Sequence, residues 1–259
     1  MIDQAQPADE SPTPLLAMVA LRSSSFPSAG NILESLRRIA PDAEIGEPTE
    51  GCDALAFELN GNDAAVGLMP KHIPWHELEG PCATAWWWPE ATEAMRDHTH
   101  HAIVFLAGEE GSAAARHVDL THLTAAVAET TDSAGIYWGG GTVVHKPEHF
   151  VDEAKQLSRG DVAPHLWIDM RLEQNDDESY RFFTTGMLQF DKPEIEIERT
   201  EKSPQDVLEF CHDMVHYILS QDKSIGEGET VGRTNDERIK VSHGPSMFDE
   251  DQRVMRLDY

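Results

Sequence analysis

The chain has 259 residues, 40% hydrophobic and 26% charged, enough for one large domain or two small ones with a substantial core. It carries 47 Asp and Glu against 20 Lys and Arg, a formal net charge of −27. A body this acidic is repelled by nucleic-acid phosphate and by anionic membrane surfaces, so neither is an expected partner.

Residues 1–13 read as a disordered leader, acidic and Pro-rich, without the basic region that opens a secretory signal. LLAMVAL at 15–21 is a short continuous apolar run and reads as a buried central strand. Ser28 is placed to cap a helix to about Ile39, with Ile32, Leu33, Leu36 and Ile39 on one face. Residues 53–59 and 63–69 read as two strands around the polar turn Asn60-Gly61-Asn62-Asp63. A Pro- and Trp-bearing connection, 70–88, leads to a short helix, 89–97, with Pro89 at its start. HAIVFLAG at 101–108 is another buried strand. This β-α-β-β-α-β order is the split βαβ pattern of ferredoxin-like folds.

A helix at 113–130 and a strand at 134–138 follow, then Gly139-Gly140-Gly141 and a helix at 147–158 opened by Pro147. Strands are expected at 165–173, 179–190 and 194–198. Ser203 and Pro204 open a helix at 204–220, and strands end the chain near 229–233, 237–243 and 252–257. The expected class is α+β, mostly antiparallel sheet with ferredoxin-like elements. Residues 14–259 are expected to form a single α+β domain, divisible into halves 14–110 and 111–259, the second repeating the first less cleanly.

The acidity is a property of the whole body. Residues 1–130 hold 20 acids and 6 bases, and residues 131–259 hold 27 and 14. A solvated acidic surface accounts for most of it; a face shaped for a cationic partner is the sharper alternative. The longest apolar runs are about eight residues, short of the roughly 20 that a membrane span needs. Cys52, Cys82 and Cys211 are widely spaced and form no CxxC, which suggests reduced thiols in a cytoplasm and, for each, a small buried hydrophobe. No sequence feature calls for a cofactor.

Five constellations invite chemistry. CHDMVH places His212 and His216 at the i, i+4 spacing of zinc ligands, but the helix periodicity turns both toward the rim or solvent. DHTHH at 97–101 is the densest histidine cluster; His98 and His100 share a strand face and are the candidate metal ligands, against a plain polar loop. WGGGT at 138–142 and GEGETVG at 226–232 lack the helix that phosphate binding needs, and Ser246 in HGPSM is outside the GxSxG pattern. Trp86, Trp87 and Trp88 either pin a loop to the core or form a partner platform. Glu194, Glu196 and Glu198 alternate with two isoleucines, which puts three carboxylates in a row on one strand face, about 7 Å apart. They need cations from neighbouring strands, with Arg171, Arg181, Arg238 and Lys240 as candidates, or from a partner.

TTGMLQFDKPEIEI at 184–197 and GETVGRTNDERIKV at 228–241, with AWWWPEA and GIYWGGGTVV, resemble a bacterial family catalogued as domain of unknown function 4261, from about Leu15 to Tyr259. The resemblance implies a bacterial soluble protein without established activity and transfers no catalytic residue. Two functions follow from the residues. The first is a non-enzymatic acidic binding protein, an adaptor or an immunity-type partner of a basic protein, with Trp86, Trp87, Trp88, Glu194, Glu196 and Glu198 as partner-binding residues. The alternative is a metal-dependent hydrolase built on a His/carboxylate cluster.

Overall fold

The apolar run at 15–21 becomes a strand covered on both faces. In the computed structural model, which describes residues 14–259 apart from Phe26, Cys52 and Asn235, β1 (Leu15–Leu21) directs Ala17, Val19 and Leu21 into one core and Ala20 into another. Burial on both sides explains why it lacks the polar alternation of a half-exposed strand. The expected leader, 1–13, and Cys52 lie outside the described residues.

The first sheet has seven strands. After α1 (Ala29–Ile39) come β2 (Thr49–Glu50), β3 (Ala54–Leu59) and β4 (Asn62–Met69). Then α2 (Trp75–Thr84), α3 (Ala91–Arg96) and β5 (His100–Ala107) lead to the long α4 (Ala113–Glu129), β6 (Ser133–Trp138) and β7 (Val143–His145). The spatial order is β2-β3-β4-β5-β1-β6-β7, and every neighbouring pair is antiparallel. Ser28 accepts a hydrogen bond from the Asn31 amide at 3.3 Å and starts α1, whose Ile32, Leu33, Leu36 and Ile39 are buried. α1 and α4 pack together over one face of this sheet; Leu78 and Cys82 of α2 and Ala91 and Met95 of α3 pack on the other.

The second sheet follows α5 (Pro147–Ala154) and the short α6 (Pro164–Trp167). Its strands are β8 (Asp169–Gln174), β9 (Tyr180–Thr185), β10 (Ile195–Thr200), β11 (Thr230–Val231), β12 (Ile239–Pro245) and β13 (Arg253–Asp258), in the order β11-β12-β13-β10-β9-β8. A 3-10 turn, Met187–Phe190, follows β9, and α7 (Pro204–Ser220) follows β10. All of its pairs are antiparallel except β10 with β13. The α7 stripe Val207, Phe210, Cys211, Met214, Val215 and Ile218 joins Ile195, Ile197, Val241 and Leu257 in the same core cluster as α1, α4 and β1. α4 is buried on nearly every side, as a helix held within a core must be.

The α+β class with mostly antiparallel sheet is what the fold shows. The ferredoxin-like detail is not. Two strands, β4 and β5, separate β1 from β3, and three antiparallel steps make them run oppositely, whereas a split βαβ unit has parallel outer strands around one inserted strand. The first sheet takes strands from both sides of position 110, and the second, with its single parallel pair and one long helix, does not duplicate it. Three local readings also change. Pro164–Trp167 is helical because Pro164 sits at the first helical position, the 179–190 strand ends in the 3-10 turn after Gly186 at φ 121°, and the 70–88 connection contains α2.

Candidate functional site

Side chains alternate across a strand, so burying one face of the second sheet under α7 turns the other outward. Ile195, Ile197, Phe182 and Leu257 go inward. Arg171 and Glu173 of β8, Arg181 and Phe183 of β9, Glu196 and Glu198 of β10 and Arg256 of β13 are on the outward set, since Glu196 is in register with Phe183 and Arg256, and Phe183 with Arg171. Two cavities open on this face. One, of about 560 Å³, is lined by Arg171, Arg181, Phe183, Glu194, Glu196, Ser246 and Phe248. The other, of about 760 Å³, is lined by Asp176, Asp177, Glu198, Arg199 and Arg256.

The glutamate row is not an open acidic ladder. Glu194 is 5% exposed and Glu196 3% exposed, while Glu198 is exposed. Hydroxyls and amides, not cations, answer the two buried carboxylates. Glu194 accepts from the Thr184 hydroxyl at 2.6 Å and from the amides of Gly186 at 2.8 Å and Leu188 at 3.4 Å. Glu196 accepts from the Ser246 hydroxyl at 2.5 Å and the Met247 amide at 3.0 Å. Two of the expected cations are engaged with other acids: Arg171 stands 2.7 Å from Asp169, and Arg181 is held by Glu173 at 2.5 Å. Arg238 and Lys240 make no ion pair among the described residues. The loop after β12 that carries Ser246 and Met247 therefore closes over the strand, a long-range contact that alternation within 194–198 does not encode.

Phe248, 55% exposed, packs edge-on against Phe183 at 4.6 Å with the Arg181 guanidinium 5.7 Å from its ring. It went unmarked in the sequence; the available signal was a large aromatic beside the acidic triplet Asp249-Glu250-Asp251 in a short polar connection. That triplet and Asp176-Asp177-Glu178 lie in the loops that follow β12 and β8. Leu188, 57% exposed, adds apolar surface at the same cavity.

The tryptophan run is elsewhere. Trp88 is buried under the first sheet, Trp86 is 76% exposed, and Trp87 is 41% exposed with its indole N–H donating to the Val144 carbonyl of β7. The run lines neither cavity of the second-sheet face.

The candidate metal ligands are held in other contacts. His98 is buried; its Nε2 accepts from the Ile73 amide at 2.7 Å and its Nδ1 donates to the Met95 carbonyl, so neither nitrogen is free. Burial, the largest cause, lowers its pKa. His100 Nδ1 meets the Thr99 hydroxyl at 2.9 Å. His212 and His216 are exposed on α7. Among the described residues no group of three His, Cys, Asp or Glu side chains is placed to hold a metal ion. Cys82 and Cys211 are buried free thiols, and burial pushes the first up to about 11 and the second higher still, far from reactive thiolates.

Gly141 is explained by close packing on backbone, whereas Gly140 faces the movable end of a side chain. A Cβ at Gly140 would meet the Gln189 side chain at 2.0 Å, and one at Gly141 the Trp167 carbonyl oxygen at 2.0 Å.

The family model of a domain of unknown function, DUF4261, matches residues 183–258. That stretch runs from within β9 to the end of β13 and contains α7, so it covers most of the second sheet and the buried glutamates. The AWWWPEA and GIYWGGGTVV segments lie outside it. No curated protein and no solved structure matches the chain. No described helix is long and apolar enough to cross a membrane.

Proposed function

We propose that the protein is a non-enzymatic binding protein whose second-sheet outer face takes a Lys- or Arg-rich segment of a partner protein. The observation that carries this reading is the anatomy of that face: exposed Phe248 and Leu188 beside two cavities, with acidic loops at its edges. An aromatic centre within a charged rim is the usual layout of a protein interface. The carboxylates support a cationic occupant. Glu194 Oε2 and both oxygens of Glu196 each accept one hydrogen bond, and a carboxylate oxygen has room for two. The net charge of −27 supports the same sign of partner by steering, and disfavours nucleic acid and membrane. Two buried unpaired thiols fit a reducing cytoplasm.

The test uses labelled Lys/Arg-rich peptides on the full chain, read by anisotropy, with the contact mapped by amide chemical shifts. The expected result is saturable binding with shifts centred on Phe183, Glu198 and Phe248, weakened about tenfold by Phe248→Ala and further by Glu198→Lys. Shifts spread evenly over the acidic surface, or an affinity indifferent to both substitutions, would sink the proposal.

A further inference from the structure

A further cavity of about 730 Å³ lies where β1, the start of α2, β6 and the 3-10 turn meet, and adjoins the second-sheet cavity at Gly140 and Leu188. Its volume is that of a small-molecule site. Leu15, Leu16, Met18 and Ile73 supply apolar wall, Tyr137 and Arg116 supply donors, and Glu77 and Asp191 are the acids of the lining.

Arg116 is the cation among the lining residues. Its Nη1 donates to the Gly108 carbonyl at 2.6 Å, its Nε is out of solvent without a partner, and no described carboxylate stands within 4 Å of it. Acids outnumber bases 47 to 20 in this chain, and Arg22, Arg38, Arg159, Arg171, Arg181, Arg199 and Arg233 each find one; Arg116, like the half-buried Arg256, is hydrogen-bonded to a backbone carbonyl instead. Leaving a half-buried guanidinium unpaired amid such a surplus is costly. Its position adds to the imbalance. Arg116 sits at the beginning of α4, whose first turn holds no acid, so the guanidinium and the positive helix end lie together. Tyr137 is 4% exposed and its hydroxyl makes no hydrogen bond within the described residues; burial, with Glu77 beside it, raises its pKa, so it stays a neutral donor.

We infer that this cavity binds a small molecule with an apolar body and a single carboxylate, the carboxylate on Arg116 with Tyr137 as second donor. A planar guanidinium pairs a carboxylate through parallel N–H donors, which a neutral head group cannot reproduce.

The probes are octanoate, 1-octanol and octylamine, titrated into the full chain by calorimetry with amide shifts mapped in parallel. Octanoate is expected to bind saturably with shifts at Leu16, Tyr137 and Gln189, about tenfold tighter than octanol. Arg116→Gln is expected to erase that preference while leaving octanol binding, and Arg116→Lys to restore part of it. The octanol arm reports that the cavity remains formed in the Gln variant. Absence of octanoate binding, equal affinity for octanoate and octanol in the wild type, unchanged octanoate affinity in Arg116→Gln, or tighter binding of octylamine through Glu77 and Asp191 would each overturn the inference.

Discussion

His117 and His145 are imidazoles held almost wholly out of water, at 0% and 6% exposure. Burial pulls their pKa values down from 6.5, to about 4 for His117 and about 3 for His145, although each makes a hydrogen bond to a backbone carbonyl that acts the other way. His117 donates from Nδ1 to the Ala113 carbonyl and stacks on Phe190 at 3.9 Å, so it is a neutral aromatic core residue. In the unfolded chain both rings protonate near 6.5. Between that pH and the folded values the unfolded state binds more protons, so stability is full above 6.5 and falls with pH through the window down to about 4 and 3. For His117 the whole span is about 3 kcal/mol. Glu129 acts lower. Burial would raise its pKa, but hydrogen bonds from Ser35, Lys155 and Arg38 outweigh it and hold the group at about 2, so its contribution is lost only as pH falls below 4.5. Urea unfolding at intervals between pH 7 and 4.5 is therefore expected to show a smaller loss of stability in His117→Gln than in the wild type. Parallel curves would show that this imidazole is not a source of the acid limb. Gly141 gives a second residue-level expectation: an added methyl would meet the Trp167 carbonyl oxygen, so Gly141→Ala is expected to lower stability by about 1–3 kcal/mol in the same assay.

At the scale of elements, α7 carries a sharp local expectation. The Ser203 hydroxyl accepts from the Asp206 amide at 3.1 Å and donates to the Asp206 carboxylate at 2.8 Å, and Pro204 sets the first helical residue. Ser203→Ala is expected to lower stability by about 1 kcal/mol, read as a lower urea midpoint with an unchanged slope, because the cap acts on the folded helix and not on the extent of surface exposed. A midpoint that does not move would mean that packing of the Val207–Ile218 stripe alone holds the helix start. This element, like α1, α4 and β1, was legible in the sequence because its determinants are local: a capping hydroxyl, a proline, an apolar period of one kind. Strand order was not. β1 and β5 are equally apolar, and nothing in either says that β5 inserts between β4 and β1. The glutamate row shows the same limit at the candidate site. Alternation placed Ile195 and Ile197 inward correctly and set Glu196 and Glu198 on the opposite side, but the cover over Glu196 comes from Ser246 and Met247, 50 and 51 positions along the chain. The histidine cluster at 97–101 misled for a related reason: spacing cannot reveal that Ile73 and Met95 backbone groups occupy His98.

For the whole molecule, the charge of −27 is a destabilising field that the ion pairs do not cancel. Several of the pairs are exposed on both sides; Arg22 with Asp132 and Arg199 with Asp177 and Glu201 leave 44% or more of each partner in solvent, and such pairs contribute little each. Self-repulsion dominates over these attractions because uncompensated acids outnumber the pairs in both halves of the chain. Salt screens both terms, but the larger one is repulsive, so adding salt is expected to stabilise this protein. Each kcal/mol recovered in this way raises Tm by roughly 2–4 °C for a chain of about this size. The rise between 10 and 150 mM NaCl is expected to be steep and then to level off, since the Debye length shrinks from about 30 Å to about 8 Å and little long-range repulsion remains beyond that point. Magnesium chloride is expected to reach the same plateau at lower concentration, and sucrose, which stabilises through exclusion from the surface, to show no plateau over that range. A Tm that falls with NaCl would place the main electrostatic contribution in attractive pairs instead. The cationic peptides proposed for the second-sheet face then add a discriminating arm: a peptide that neutralises the body at large would raise Tm in the wild type and in Phe248→Ala alike, whereas one docked at that face would lose its stabilising effect with the aromatic ring.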